Sequence, residues 1–280
     1  MAPSLNLIGA GHVGRALGRL FAARGVFAVQ DIVTRSLDSA QAAVAFIGAG
    51  RALAPDALPR AADVWMLAVR DDQIAAAAAA LARAVPLDGA IVFHCSGAKA
   101  SDELAAARQA GALVASVHPV RSFADPAAVA RAFDGTFCGI EGDAAALALL
   151  QGAFGAIGAR TVTIDGAAKT VYHAASVFAS NYLVTVLDAA LRAYRAAGVP
   201  DDIARALARP LALETLENVF RLGPETALSG PIARGDAETV LRQQAAVDTW
   251  DAPTGVLYAA LAGATWDLAA RRDPPARDTA

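Results

Sequence analysis

The chain has 280 residues, 56% hydrophobic and 18% charged, which suits a folded protein of about two domains and excludes a disordered one. Its net charge of −3 gives no footprint for nucleic acid or an anionic membrane. Cys95 and Cys138 form no zinc spacing and fit a reducing compartment. No apolar run reads as a bilayer span and the chain starts directly on a strand, so we expect a cytoplasmic protein with no membrane partner and no metal.

Leu5, Leu7 and Ile8 read as a short buried strand. It runs into Gly9-Ala10-Gly11-His12-Val13-Gly14 and then a helix carrying Leu17, Leu20 and Phe21 at helical spacing. Strand, G-x-G-x-x-G turn and helix in this order predict a dinucleotide site. Gly9 makes the tight turn, Gly11 lets the backbone approach a pyrophosphate, and Gly14 lets helix and strand pack closely. The helix N-terminus offers free N–H groups to the phosphates.

A second strand follows at 26–33. About 20 residues past the glycines stand Thr34-Arg35-Ser36 rather than an acid. An arginine and a hydroxyl there favour NADP(H) over NAD, with Arg35 pairing the 2′-phosphate and Ser36 bonding it. The plain alternative for Ser36 is the N-cap of a helix over 37–47. Asp31 is a rival acid, but it falls inside the strand.

Further strands are expected at 51–53, 61–69, 90–95, 113–119, 136–140 and 160–164, alternating with helices. Val69 ends one of them, where the chain passes the cofactor, and Asp71 or Asp72 is expected to cap the next helix. The apolar strands predict a doubly wound, mostly parallel α/β sheet. From Ala167 onward only helices are expected, among them a long apolar one from Lys169 to Ala197 and another over 201–222 containing Pro210. The expected domains are 1–165, binding the dinucleotide, and 166–280, helical, with a frayed tail past Arg272.

Of 24 basic residues only Lys99 and Lys169 are lysine. Lys169, His173, Ser176 and Ser180 fall on one helical stripe, which we expect to face a cleft. Hydride transfer to a carbonyl leaves an alkoxide that needs a proton, and a desolvated lysine is a competent donor. Lys169 is therefore the expected acid and His173 its partner. Ser96 and the Gly97 N–H, at a strand end, could hold a substrate carboxylate or the nicotinamide amide, or simply form a turn. His118-Pro119 places a ring at the next strand end, and Arg234, beside Gly235, could clamp a carboxylate or remain a surface arginine.

These residues carry a resemblance. The glycine turn, His94-Cys95-Ser96-Gly97, His118-Pro119 with Phe123, Tyr172-His173-Ala174-Ala175, Asn181-Tyr182 and Gly230-Pro231-Ile232-Ala233-Arg234-Gly235-Asp236 together resemble bacterial proteins with a Rossmann-like NADP-binding half and a helical C-terminal domain of unknown function. That family is similar to the β-hydroxyacid dehydrogenase superfamily, with ketopantoate reductase, pyrroline-carboxylate reductase, prephenate dehydrogenase and deazaflavin-dependent NADP oxidoreductases. The resemblance implies a helix lysine as proton donor, which Lys169 matches, with His173 where those enzymes carry asparagine. His118-Pro119 resembles the histidine-proline pair of prephenate dehydrogenases and makes His118 a second donor candidate. It further implies Asn181 at the substrate and a homodimer through the helical domain. The expected activity is NADP(H)-dependent oxidoreduction of a small 2-keto or 3-hydroxy acid. Imine reduction and a non-catalytic NADPH sensor or scaffold are the alternatives.

Overall fold

In the computed structural model, residues 1–272 are described; the tail expected past Arg272 lies outside them. The chain forms two compact units, Met1–Phe178 and Ala179–Ala280.

The first unit alternates strands and helices: β1 (Ser4–Ile8), α1 (His12–Ala23), β2 (Ala28–Val33), α2 (Leu37–Ile47), β3 (Arg51–Leu53), β4 (Val64–Leu67), α3 (Ile74–Ala84), β5 (Ile91–His94), α4 (Ala105–Gln109), β6 (Leu113–Pro119), α5 (Pro126–Arg131), β7 (Phe137–Gly142), α6 (Ala144–Ala156), β8 (Arg160–Thr163) and α7 (Lys169–Val177). All eight expected strands form one sheet in the order β3-β2-β1-β4-β5-β6-β7-β8. Every pairing is parallel except β6 with β7. Successive side chains on a strand point to opposite faces. Accordingly Met66, Phe93, Ala115 and Val117 join one core, where Phe21, Phe93 and Phe154 stack edge to face, while Trp65, Leu67, Val92 and Val114 join a second core under α3 and α4.

Asp31 is a structural acid. Its carboxylate is fully buried and takes bonds from Arg51 Nε and Nη2 and from Arg60 N, Nε and Nη2, tying the edge strand β3 and the segment before β4 to β2. It has no lone pairs left for a ribose. Neither Asp71 nor Asp72 caps the turn before α3; Asp72 instead pairs with Arg70 at 3.1 Å.

The second unit is helical: α8 (Leu183–Ala196), α9 (Asp201–Leu222, with Pro210 inside), α10 (Pro224–Ala227), α11 (Ala237–Trp250) and α12 (Ala252–Arg272). α8 packs on α9, and α11 on α12. Arg192 fastens the bundle, bonding Asp188 (2.9 Å), Asp251 (2.8 Å) and Thr254 (2.9 Å).

Two expectations are corrected. The unit boundary falls at 178/179 rather than 165/166, because α7 is held on the sheet by the buried bonds of Lys169 to Ser116 and Glu141. The helical run Gly166–Ala196, 31 residues at mean hydropathy 1.4, is also long and apolar enough to cross a membrane by length and composition. Its charged groups are paired with protein: Lys169 with Glu141, Asp188 with Arg192, and Arg195 with Asp201.

Burial acts to raise the Asp31 pKa, but the bonds from Arg60 and Arg51 outweigh it and hold it at about 2. Asp31→Asn should lower the unfolding free energy by about 2 kcal/mol near pH 7 in urea titrations. Because the folded pKa is depressed, that stabilisation is complete above about pH 4 and fades as pH falls toward about 2, so wild type and variant should converge there.

Candidate active site

The three glycines of the first turn take the places the sequence predicts. Gly9 has φ +86°, and a Cβ there would lie 2.6 Å from Ala68 O. A Cβ on Gly14 would lie 2.8 Å from Ala68 Cβ, so helix and strand are in close contact. At Gly11 a Cβ would meet nothing within 4 Å, because it would enter an open cleft of about 440 Å³ at the carboxyl ends of β1, β2 and β4.

That cleft is lined by Gly9, Ala10, Gly11, His12, Arg15, Thr34, Arg35, Ser39, Ala68, Val69, Arg70 and Gln73: three arginines and no acid. The first turn of α1 has no acidic residue either, so its dipole is uncompensated by side chains. Arg15 Nε is buried without a hydrogen-bond partner. An orphaned guanidinium nitrogen beside free helix N–H groups fits a phosphate-bearing ligand. Arg35 is exposed at the rim and has no ion pair among the described residues. Ser36 departs from its expected phosphate role, since its Oγ accepts from Ser39 N at 3.2 Å as the N-cap of α2. Ser39, one turn into the helix, faces the cleft instead. Val13 is half-buried behind the turn. His12 Nδ1 meets Phe123 O at 2.6 Å, tying the glycine turn to the segment after β6.

The histidines at the next strand ends differ sharply. His94 is fully buried; its Nδ1 accepts from Ser96 N (3.2 Å), so its Nε2 donates to Ala100 O (3.1 Å). Burial lowers its pKa to about 4, and it is a satisfied core group rather than a cleft residue. Ser96 Oγ accepts from Ala98 N and Lys99 N, the turn reading of that serine, and only its hydrogen is left to donate.

His118 has an unfilled side. Its Nδ1 lies 3.1 Å from Tyr172 OH, and its ring meets those of Tyr172 and His173 edge to face at 5.6 and 5.7 Å. A Cβ built on Gly97 would fall 2.7 Å from His118 Nε2 and 2.4 Å from His173 Nδ1, so both nitrogens converge beside the Gly97 backbone. His173 Nδ1 is buried with no partner. Burial, reinforced by His173 and Lys169, lowers the His118 pKa to about 4.

Lys169 is not in the cleft. It is 1% exposed, and its ammonium is bound by Ser116 Oγ and by Glu141 Oε1 at 3.1 Å. Glu141 in turn accepts from Ser101 N (2.8 Å) and Ser101 Oγ (2.7 Å). Burial lowers the lysine pKa against the pull of Glu141. Two of its three hydrogens are taken by this cage and its side chain is sealed from the cleft, which corrects its expected role as donor. The stripe it was to head also breaks up: Lys169 is buried, His173 and Ser176 are half-buried and Ser180 is exposed, the last inside a π-turn at Phe178–Tyr182. Asn181 sits in that turn, and Arg234 is an exposed residue of a 3₁₀ turn in the second unit. Among the described residues no group of three His, Cys, Asp or Glu could hold a metal ion.

Sequence reasoning named Tyr172 only within a motif, without a role, and missed Glu141, Arg15 and Ser39. Glu141 carried a signal: an acid inside the apolar strand Phe137–Gly142 needs a buried cation, and lysine occurs only twice.

Residues 2–119 match the family model of a Rossmann-like domain, and residues 136–265 match that of a domain of unknown function (DUF2520). The chain thus joins a match to each of these two domains. Among solved structures it is similar to protein TM1727 from Thermotoga maritima (26% identity, TM-score 0.73, covering 95% of this chain and 98% of that one). It is also similar in fold to a candidate NADP oxidoreductase, BF3122, from Bacteroides fragilis (19%, TM-score 0.75, 95% and 98%). A third likeness is to an imine reductase from Myxococcus stipitatus in complex with NADP+ (17%, TM-score 0.65, 96% and 93%). Comparison with curated proteins gives no match.

Neither His94 nor His118 should titrate between pH 5 and 8. In histidine-resolved NMR both midpoints should fall near 4, well below the ordinary 6.5. A His118 midpoint near 6.5 would mean that its ring is hydrated rather than enclosed.

Proposed function

We propose that the protein is an NADP(H)-dependent reductase of a C=O or C=N bond in a small molecule. The observation that carries this reading is the pairing of an acid-free, three-arginine cleft at the glycine turn with an unsatisfied histidine cluster on the same sheet edge. β1 and β6 are three strand spacings apart, about 14 Å, so one extended ligand can address both. Likeness to NADP-binding folds supports the cofactor.

Arg15 and the α1 N-terminus would hold the pyrophosphate, and Arg35 with Thr34 and Ser39 the 2′-phosphate. The bound cofactor supplies a hydride. The protein must then deliver a proton to the reduced heteroatom, and His118 Nε2 is the group placed to do so, with His173 beside it. The keto-acid reading takes Arg234 as the carboxylate clamp, with Asn181 at the substrate. A second reading, imine reduction, is favoured by one observation: Lys169, the lysine nearest the cluster, is consumed by Glu141 and is not available to a carboxylate.

The test is NADPH consumption against panels of keto acids and cyclic or acyclic imines. Turnover on one panel identifies the bond reduced, and His118→Gln should lower kcat by about 10²-fold or more. Arg35→Ala should weaken NADPH binding by about 10-fold while leaving NADH binding unchanged. NADPH binding without turnover on either panel would make the protein a sensor.

We further infer a homodimer through the helical unit, located in the cytoplasm. Leu207, Leu211, Leu213 and Phe220 of α9 and Val184 of α8 are exposed, Phe220 to 86%, large apolar side chains that a partner copy would cover. Light scattering should give twice the 28.4 kDa chain mass, and Leu211→Asp with Phe220→Asp should return it to one chain. A monomeric wild type would refute this.

A further inference from the structure

On one face of the antiparallel β6/β7 pair, two successive rungs do different work. Ser116 is opposite Glu141, and His118 is opposite Gly139. The lower rung binds Lys169, and the upper one faces Tyr172. Rungs two residues apart on a strand are separated by about 6.7 Å. Positions three and four residues apart on a helix rise about 4.5 and 6 Å. α7 therefore matches the ladder. With Lys169 seated in the lower rung, Tyr172 and His173 arrive at the upper one. Gly139 makes room, since a Cβ there would lie 2.3 Å from Tyr172 OH.

We propose that Lys169 is a positioning residue that seats α7 in register, so that the Tyr172 hydroxyl fixes His118 in the tautomer with its hydrogen on Nε2. The Tyr172 O–H, 3.1 Å from His118 Nδ1, is assigned as the donor of that bond. The His118 hydrogen is then on Nε2, at the face it shares with the orphaned His173 Nδ1. In a reductive turnover Nε2–H breaks as the bond from hydrogen to the substrate heteroatom forms, and the Tyr172 O–H breaks as Nδ1–H forms. After product leaves, Nδ1–H returns its proton to the tyrosinate as Nε2 takes one from solvent, which restores the starting tautomer. The imidazole remains neutral throughout, as its enclosure demands.

This deepens the reductase reading and rests on it only for the proton transfer; the tautomer can be read without turnover. Full-length protein labelled with ¹⁵N-histidine should show a pyridine-type Nδ1 and a pyrrole-type Nε2 for His118, assigned by loss of both signals in His118→Gln. Tyr172→Phe should drive both signals toward averaged values. So should the pair Lys169→Met with Glu141→Gln, which leaves no buried charge and keeps Tyr172. A wild-type hydrogen on Nδ1 overturns the proposal. So does an unchanged tautomer in the folded double variant, or, if that variant does not fold, in Tyr172→Phe. If the wild type consumes NADPH, both variants should lose about 10²-fold in kcat with KM nearly unchanged. If it consumes none, the reductase reading fails while the tautomer result still decides the role of Lys169.

Discussion

An ammonium that loses its water must be matched by something as polar, or the helix carrying it will not stay in place. Lys169 meets this demand with a carboxylate and a hydroxyl that are register partners on β6 and β7. The match can be made in only one setting of α7 along the ladder, since a shift by one residue in either direction would leave both Lys169 and Glu141 buried and unpaired. The placement of Tyr172 and His173, and through them the condition of His118, follows from that single fit. Glu141 also bonds the Ser101 backbone and side chain, so the segment between β5 and α4 is held by the same carboxylate.

The two halves of the candidate site are electrostatically unlike. The glycine-turn cleft gathers positive charge from Arg15, Arg35 and a helix N-terminus and admits no acid. His118 holds a neutral ring, because burial outweighs the pull of Asp71. A polyanion is therefore drawn to one end, while the other offers directed hydrogen bonds and no net charge. His94 and His118 both end strands on the same edge, yet only His118 is available. The difference is local: His94 has backbone partners at both nitrogens, whereas His118 Nε2 faces a residue with no side chain.

Much of this was legible in the sequence. The eight strands follow from apolar runs bounded by turn residues, and α2 begins and ends where Ser36 and Gly48 place it. The roles of Gly9, Gly11 and Gly14 follow from backbone geometry alone. What could not be read is pairing over distance. The direction of β7 is set by tertiary contact, not by its composition. The partner of Lys169 lies 28 residues earlier in the chain, so a lysine chemically fit to donate a proton was indistinguishable from one consumed by an ion pair. The one-turn difference between Ser36 and Ser39 depends on a cap that competes with a ligand for the same hydroxyl. The π-turn at Phe178–Tyr182 takes in Ser180, the last member of a stripe whose spacing looked regular.

The reversal of strand direction at β6/β7 also coincides with a seam in the family pattern. The Rossmann-like match ends at residue 119 and the DUF2520 match begins at 136, just before β7. His118, Ser116 and Gly97 come from the first module; Gly139, Glu141, Lys169, Tyr172 and His173 come from the second. The glycine-turn cleft is encoded wholly in the first, whereas the His118–Tyr172–His173 cluster exists only when both are joined. Recombining the second module onto another Rossmann-like domain would carry along half a ladder, and the new host would need a hydroxyl and a histidine two residues apart on its last parallel strand to complete it.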